Sequence, residues 1–255
     1  MSELKRPVVL VTGVGRRVGI GAGIAERLAA TGWDVAFTYL SRYDDRMPWG
    51  QDTAARDEIT ELLEQHGARV FTVEGDFEDT AAPAEVFRAT NEALGPVQAL
   101  VMSHCESVDS GILDTTIESF DRHFAVNARA GWLLIKAFAE QYAARYGDGR
   151  IVALTSDHTV HNLPYGASKG ALDRITLAAG QELSHLGITA NVINPGPIDT
   201  GWMTPEMVEQ FATENPLKRP GQAADTANLV AFLCSPEGGW INSQLLTSNG
   251  GWRAG

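Results

Sequence analysis

Pro7-Val8-Val9-Leu10-Val11-Thr12 runs straight into Gly13-Val14-Gly15-Arg16-Arg17-Val18-Gly19-Ile20-Gly21, and that junction decides the fold. The first six residues are apolar and β-branched, which predicts a strand. A helix is predicted from Ile20 to about Ala30. The glycines between them leave backbone N–H groups open to a phosphate that any Cβ would obstruct. The following helix N-terminus adds partial positive charge. Glycine clusters also mark ordinary turns. The position of this one, after the first strand of an alternating chain, points to dinucleotide binding.

The alternation continues to the end of the chain. Strands are predicted at Val35–Tyr39, Val70–Val73, Val97–Ser103, Arg150–Thr155, Ile188–Ile193 and Leu245–Thr247. Helices are predicted up to about His66, over Ala84–Leu94, Ile117 to about Arg145, Tyr165–Leu186 and Gln222–Cys234. Residues 41–52 read as a polar loop. This order predicts an α/β fold, a doubly wound parallel (Rossmann) sheet of about seven strands with helices on both faces, over residues 1–255 as one domain. The ligand crevice of such a sheet lies at the carboxyl ends of the strands.

Composition sets the outer limits. The chain has 255 residues, 26 of them glycine, and a net charge of −12. A field of that sign disfavours nucleic acid and anionic membrane. No apolar run reaches the ~18 residues of a membrane helix, and the polar start does not resemble a secretory signal. Two cysteines, Cys105 and Cys234, read as reduced thiols. These features predict a cytoplasmic protein without metal.

The second strand ends Thr38-Tyr39-Leu40-Ser41-Arg42, without the acid that would hold the ribose 2′-hydroxyl of NAD. Asp44 and Asp45 come later. Arg16, Arg17 and Arg42 are placed to surround a 2′-phosphate instead. NADP(H) is therefore favoured over NAD(H). In Tyr165-Gly166-Ala167-Ser168-Lys169, the Tyr and Lys share a helix face. A nearby ammonium is expected to lower the phenol pKa from its ordinary value near 10, and the pair then exchanges a proton with a carbonyl or hydroxyl.

With these motifs in this order, the chain resembles the short-chain dehydrogenase/reductase family, nearest to 3-oxoacyl-carrier-protein reductase-like members, over about Pro7–Gly251. Further matches are Asp76 after the third strand, Asn127 in Phe124-Ala125-Val126-Asn127, Ser156 at the end of the fifth strand, Asn194-Pro195-Gly196-Pro197-Ile198-Asp199-Thr200, and Gly250-Gly251. The resemblance implies catalysis by Asn127, Ser156, Tyr165 and Lys169. Together with the three arginines, it implies cofactor contacts at Gly13, Gly15, Gly19, Ile20, Asp76, Phe77, Ser103, Tyr165, Lys169, Pro195, Gly196, Ile198 and Thr200. Asn127 is expected to position a water. Residues 197–219 are expected to form a substrate lid, with Trp202, Met203, Met207, Val208 and Phe211 facing inward. The substrate is expected to be a small carbonyl or alcohol. A homotetramer or homodimer is implied, with contacts near Trp132 and Leu172.

Three departures bear on the site. Five residues separate Gly13 from Gly19, more than is usual. Met102-Ser103-His104-Cys105 replaces Asn-Asn-Ala-Gly and is expected to add bulk beside the cofactor. The loop between Ser156 and Tyr165, with His158 and His161 in it, is short, so Thr159 stands as a second candidate hydroxyl. The competing readings are a nucleotide-binding sensor without turnover, an NAD-dependent alcohol dehydrogenase, and an enoyl reductase, which usually spaces its Tyr and Lys further apart.

Overall fold

The computed structural model describes residues 6–201 and 203–252. Its main sheet has seven parallel strands in the order β3-β2-β1-β4-β5-β6-β9. They are β1 Val8–Thr12, β2 Asp34–Tyr39, β3 Val70–Glu74, β4 Val97–Met102, β5 Arg150–Leu154, β6 Thr189–Asn194 and β9 Leu245–Thr247. β1 and β5 are buried along their whole length. Their unbroken apolar runs suit strands covered on both faces.

Helices cover each face. On one side α1 Ile20–Ala30, α3 Ala55–Gln65 and α9 Ala223–Cys234 bury Ile24, Leu28, Ile59, Leu63, Val230 and Leu233. On the other, α4 Ala82–Ala93, α6 Ala130–Gln141 and α7 Leu163–Glu182 bury Phe87, Leu134, Phe138 and Leu172. α9 starts with a reciprocal cap between Gln222 and Asp225, which satisfies two N-terminal donors at once. At β2's other end, the carboxylate of buried Asp34 accepts bonds from the backbone and side chain of Arg69, at 2.9 and 2.8 Å.

Several segments differ from the sequence reading. Residues 41–52 are not all loop, because Ser41–Asp45 form a short helix, α2. The long helix expected from Ile117 is divided into α5 Ile117–His123, a π-helical turn at Phe124–Arg129, and α6. π-turns cluster at functional positions, and this one carries Asn127. The helix after it ends at Gln141, short of Arg145. α7 begins two residues earlier than predicted, with Pro164 in its first turn, and ends at Glu182.

A second, two-stranded parallel sheet pairs β7 Ile198–Asp199 with β8 Gly221–Gln222. It gathers both ends of the segment expected to be a lid. Within that segment α8, Pro205–Glu214, is capped by Thr204 Oγ1, which accepts from the Met207 amide at 3.3 Å. Met207, Val208 and Phe211 are half-buried on one face, and Phe211 meets Trp252 edge-on with ring centroids 6.2 Å apart. Trp202 lies outside the described residues. Among those residues, no helix is long and apolar enough to cross a membrane.

Candidate active site

The strand order reverses between β1 and β4, and both strands end at the glycine loop. Gly13 takes φ +77°, and a Cβ there would stand 2.5 Å from the His104 backbone. Only glycine lets β1 leave the sheet so close to the chain that follows β4. A Cβ on Gly21 would lie 2.6 Å from the Gly13 carbonyl oxygen, so α1 also needs glycine to seat against the loop. The N-cap, Gly19, offers no side-chain cap, and the first turn of α1 holds no acid. Its amides are thus uncapped by side chains, and a helix terminus of that kind suits a pyrophosphate.

The Met102–Cys105 departure is resolved differently from expectation. His104 does not lie in the crevice as bulk. It turns inward, with Nδ1 accepting from Thr12 Oγ1 at 2.6 Å and Nε2 donating to the Val126 carbonyl at 3.1 Å. Its ring packs on Phe77 with centroids 4.6 Å apart. Burial, reinforced by the Lys169 ammonium, pushes the imidazole down to about 3. His104 is therefore a neutral pin joining β1, β4 and the π-turn. The Phe77 side chain is likewise core, 4% exposed, which leaves only its backbone for a cofactor. Ser103 donates its amide to Thr12 Oγ1 at 3.2 Å.

At the end of β5, Ser156 stands beside Tyr165, close enough for its hydroxyl to act on the phenol. The short loop keeps Ser156 on target because its Oγ also accepts from the His158 amide at 3.1 Å. Thr159, His158 and His161 are exposed. Burial, with Cys105 adding to it, pushes the Tyr165 hydroxyl well above its ordinary range, and the nearby Ser156 only partly opposes this. The expected lowering by Lys169 is not found. Lys169 shares the helix face, but its Nζ is bound to the carbonyls of Leu154 at 3.0 Å and His104 at 3.4 Å. It lies 5.8 Å from the Tyr165 ring centroid. Burial in turn pushes the Lys169 ammonium below its ordinary value.

Asn127 is fully buried. Its Oδ1 accepts from the Glu106 amide at 2.8 Å, and its Nδ2 donates to the Glu106 carbonyl and to Ser168 Oγ, each at 2.9 Å. Both amide hydrogens are committed, so its side chain clamps the chain after β4 instead of presenting a water.

The three arginines expected around a 2′-phosphate are not gathered. Arg42 pairs with Asp76 and Glu78. Arg16 donates to the Thr200 carbonyl at 3.2 Å and lies 4.3 Å from the Trp49 ring centroid. Arg17 is exposed. Arg56, which the sequence reading did not single out, lies beside the end of β2. It donates to the Tyr39 hydroxyl at 3.0 Å, and it lines a cavity of about 120 Å³ with Gly15, Tyr39, Ser41, Asp44 and Asp52. Beyond β6, Pro195, Ile198 and Thr200 are buried, and Gly196 turns at φ +66°.

Sequence reasoning missed a further cluster. Arg46 pairs with Glu106, whose side chain is 3% exposed. Arg46 also lies 5.1 Å from the Tyr43 ring centroid, and Tyr43 lies near Cys105. Trp49 Nε1 donates to Asp44 Oδ1 at 2.9 Å. Arg46 and Glu106 are 60 residues apart in sequence, and no local spacing announces their pairing.

Known proteins were then compared with this geometry. A family model described as enoyl-(acyl carrier protein) reductase matches residues 13–253. The chain is 36% identical to the NADPH-dependent aldehyde reductase-like protein, chloroplastic, of Arabidopsis thaliana, over 96% of this chain and 93% of that one. A solved dehydrogenase/reductase from Sinorhizobium meliloti 1021 matches with a TM-score of 0.86 at 31% identity, covering 98% and 96% of the two chains. A short-chain dehydrogenase from Burkholderia cenocepacia J2315, solved in complex with NADP, matches at 0.84 and 32%, covering 97% of each.

Proposed function

Because the chain belongs to the short-chain dehydrogenase/reductase family and is an oxidoreductase acting on CH–OH and C=O groups, we propose that it is an NADP(H)-dependent carbonyl reductase. Its substrate class is a ketone or the matching secondary alcohol, of the 3-oxoacyl type or a related carbonyl. What supports this reading is the placing of Ser156 beside Tyr165 at the carboxyl end of β5, with Lys169 one helical turn further on.

The nicotinamide supplies the hydride. This chain's residues do the rest. Tyr165, held protonated by burial, donates its proton to the carbonyl oxygen as that oxygen gains charge. Ser156 hydrogen-bonds the same oxygen and stabilises it. Lys169 stands behind Tyr165 to hold the nicotinamide ribose. Asn127 fixes Glu106 and Ser168, and through them the wall of the crevice. The uncapped amides at the start of α1 take the pyrophosphate. Arg56, beside Tyr39 and Ser41, supports the 2′-phosphate, although Asp44 and Asp52 line the same cavity.

A homodimer or homotetramer would cover the exposed apolar side chains of Ile112, Leu113, Ile117 and Trp132. Leu172 takes no part, being 1% exposed in the core.

The test is carbonyl-dependent oxidation of NADPH and NADH over a panel of aldehydes and ketones, with Tyr165→Phe as control. Turnover that prefers NADPH and falls by orders of magnitude in Tyr165→Phe is expected. Near-normal turnover in that variant would sink the assignment. NADPH binding without turnover on any carbonyl would favour a sensor.

A further inference from the structure

α2 and the turn after it leave the end of β2, yet their side chains reach the far side of β1. In the sheet, β1 separates β2 from β4. Arg46 pairs with Glu106, four residues past the end of β4. Cys105, Glu106 and Tyr165 all lie close enough to Tyr43 for their charges to bear on its hydroxyl. A segment that starts at β2 and touches residues after β4 must cross the carboxyl end of β1. That places it over the glycine loop and across the strand-order reversal, where doubly wound sheets bind their ligands.

The crossing is fastened at a second point. The Trp49 ring lies against the Arg16 guanidinium, and Trp49 Nε1 donates to Asp44. Arg16 itself belongs to the glycine loop and donates to the Thr200 carbonyl beyond β7. The Asp44 carboxylate sits tightly on the loop, and a Cβ on Gly15 would stand 2.5 Å from its Oδ2. One fastening is thus a charged pair with a buried acid, and the other is a cation on an aromatic face. The Glu106 end is rigid, because Asn127 clamps its amide and carbonyl.

We propose that residues 41–53 form a latch over the dinucleotide crevice, closed by Arg46–Glu106 and Arg16–Trp49, which must release before NADP(H) enters. The proposal rests on the cofactor reading above. Tyr43 then occupies ground between the glycine loop and Tyr165 that a dinucleotide running from α1 to Tyr165 must cross. Apparent affinity falls by the fraction of molecules in which the latch is open, so weakening a fastening tightens cofactor binding.

The test is stopped-flow binding followed by the fluorescence of NADPH, on the intact wild-type chain, Arg46→Ala and Trp49→Ala. In wild type the observed rate levels off with NADPH concentration at the rate of latch opening. In Arg46→Ala it rises linearly over the same range, and Kd falls by about tenfold, as for a crevice open in roughly one molecule in ten. Trp49→Ala shifts both in the same direction, and it guards against an effect confined to the exposed Glu106 charge. Binding by a variant alone, with none by wild type, also supports a latch. Linear kinetics in wild type with unchanged rates and affinities in both variants overturns it and leaves the cofactor reading standing. No binding of NADPH or NADH by any of the three overturns both.

Discussion

His104 gives the fold a pH dependence that one substitution should remove. In the folded chain its imidazole is fixed between Thr12 and Val126, and burial pushes it down to about 3. In the unfolded chain the imidazole takes a proton near its ordinary value of about 6.5. The folded-state value is depressed, so the unfolded state binds the extra proton first as pH falls. The contribution to stability is fully present above about 6.5 and is lost progressively down to about 3. Each pH unit in that window costs about 1.4 kcal/mol, so at about pH 5 the loss is about 2 kcal/mol. Urea unfolding of wild type and His104→Asn at about pH 7.5 and about pH 5 measures it. The variant also loses the Thr12 bond, which lowers its stability at both pH values. Only the difference in pH dependence matters, because the carboxylates titrate in both proteins. Wild type is expected to lose about 2 kcal/mol more than the variant between the two pH values. Equal losses would mean that the folded imidazole accepts a proton in this range, and the pinned, neutral His104 would be wrong.

Two further substitutions test how the fold supports the crevice. Gly21→Ala puts a methyl 2.6 Å from the Gly13 carbonyl; it is expected to cost about 1–3 kcal/mol by overpacking and to weaken NADPH binding by displacing the loop, with unfolding curves and fluorescence titration as the readouts. Asp34→Ala strips a buried carboxylate, 2% exposed, from the Arg69 amide and guanidinium; because the Arg69 guanidinium stays half exposed, a loss of about 1–3 kcal/mol is expected from the abandoned donors, and unchanged thermal unfolding would refute that estimate.

What could be read from the chain divides along a physical line. The strands were legible because burial on both faces demands continuous apolar runs, as in Val8–Thr12 and Arg150–Leu154. Ser156 and Tyr165 were legible as a pair because a short loop and one helix separate them. The break in the helix at Phe124–Arg129 was not, since no proline or glycine marks it. The π-turn is held by tertiary bonds, from His104 to Val126 and from Asn127 to Glu106 and Ser168. Such bonds leave no local period.

Electrostatics failed for a related reason. The three arginines were grouped by charge and by nearness to predicted turns, but a guanidinium settles on the acid or ring that folding brings within reach. Arg42 finds Asp76, Arg16 finds Trp49, and Arg56, 17 residues beyond Tyr39, reaches the Tyr39 hydroxyl. The same logic inverts the Tyr165–Lys169 argument. Helical spacing places the two on one face, but it does not say what the ammonium bonds. With Nζ engaged by Leu154 and His104, burial outweighs charge at the phenol. A protonated Tyr165 is suited to donating a proton in carbonyl reduction. Alcohol oxidation requires the phenolate, which burial disfavours here.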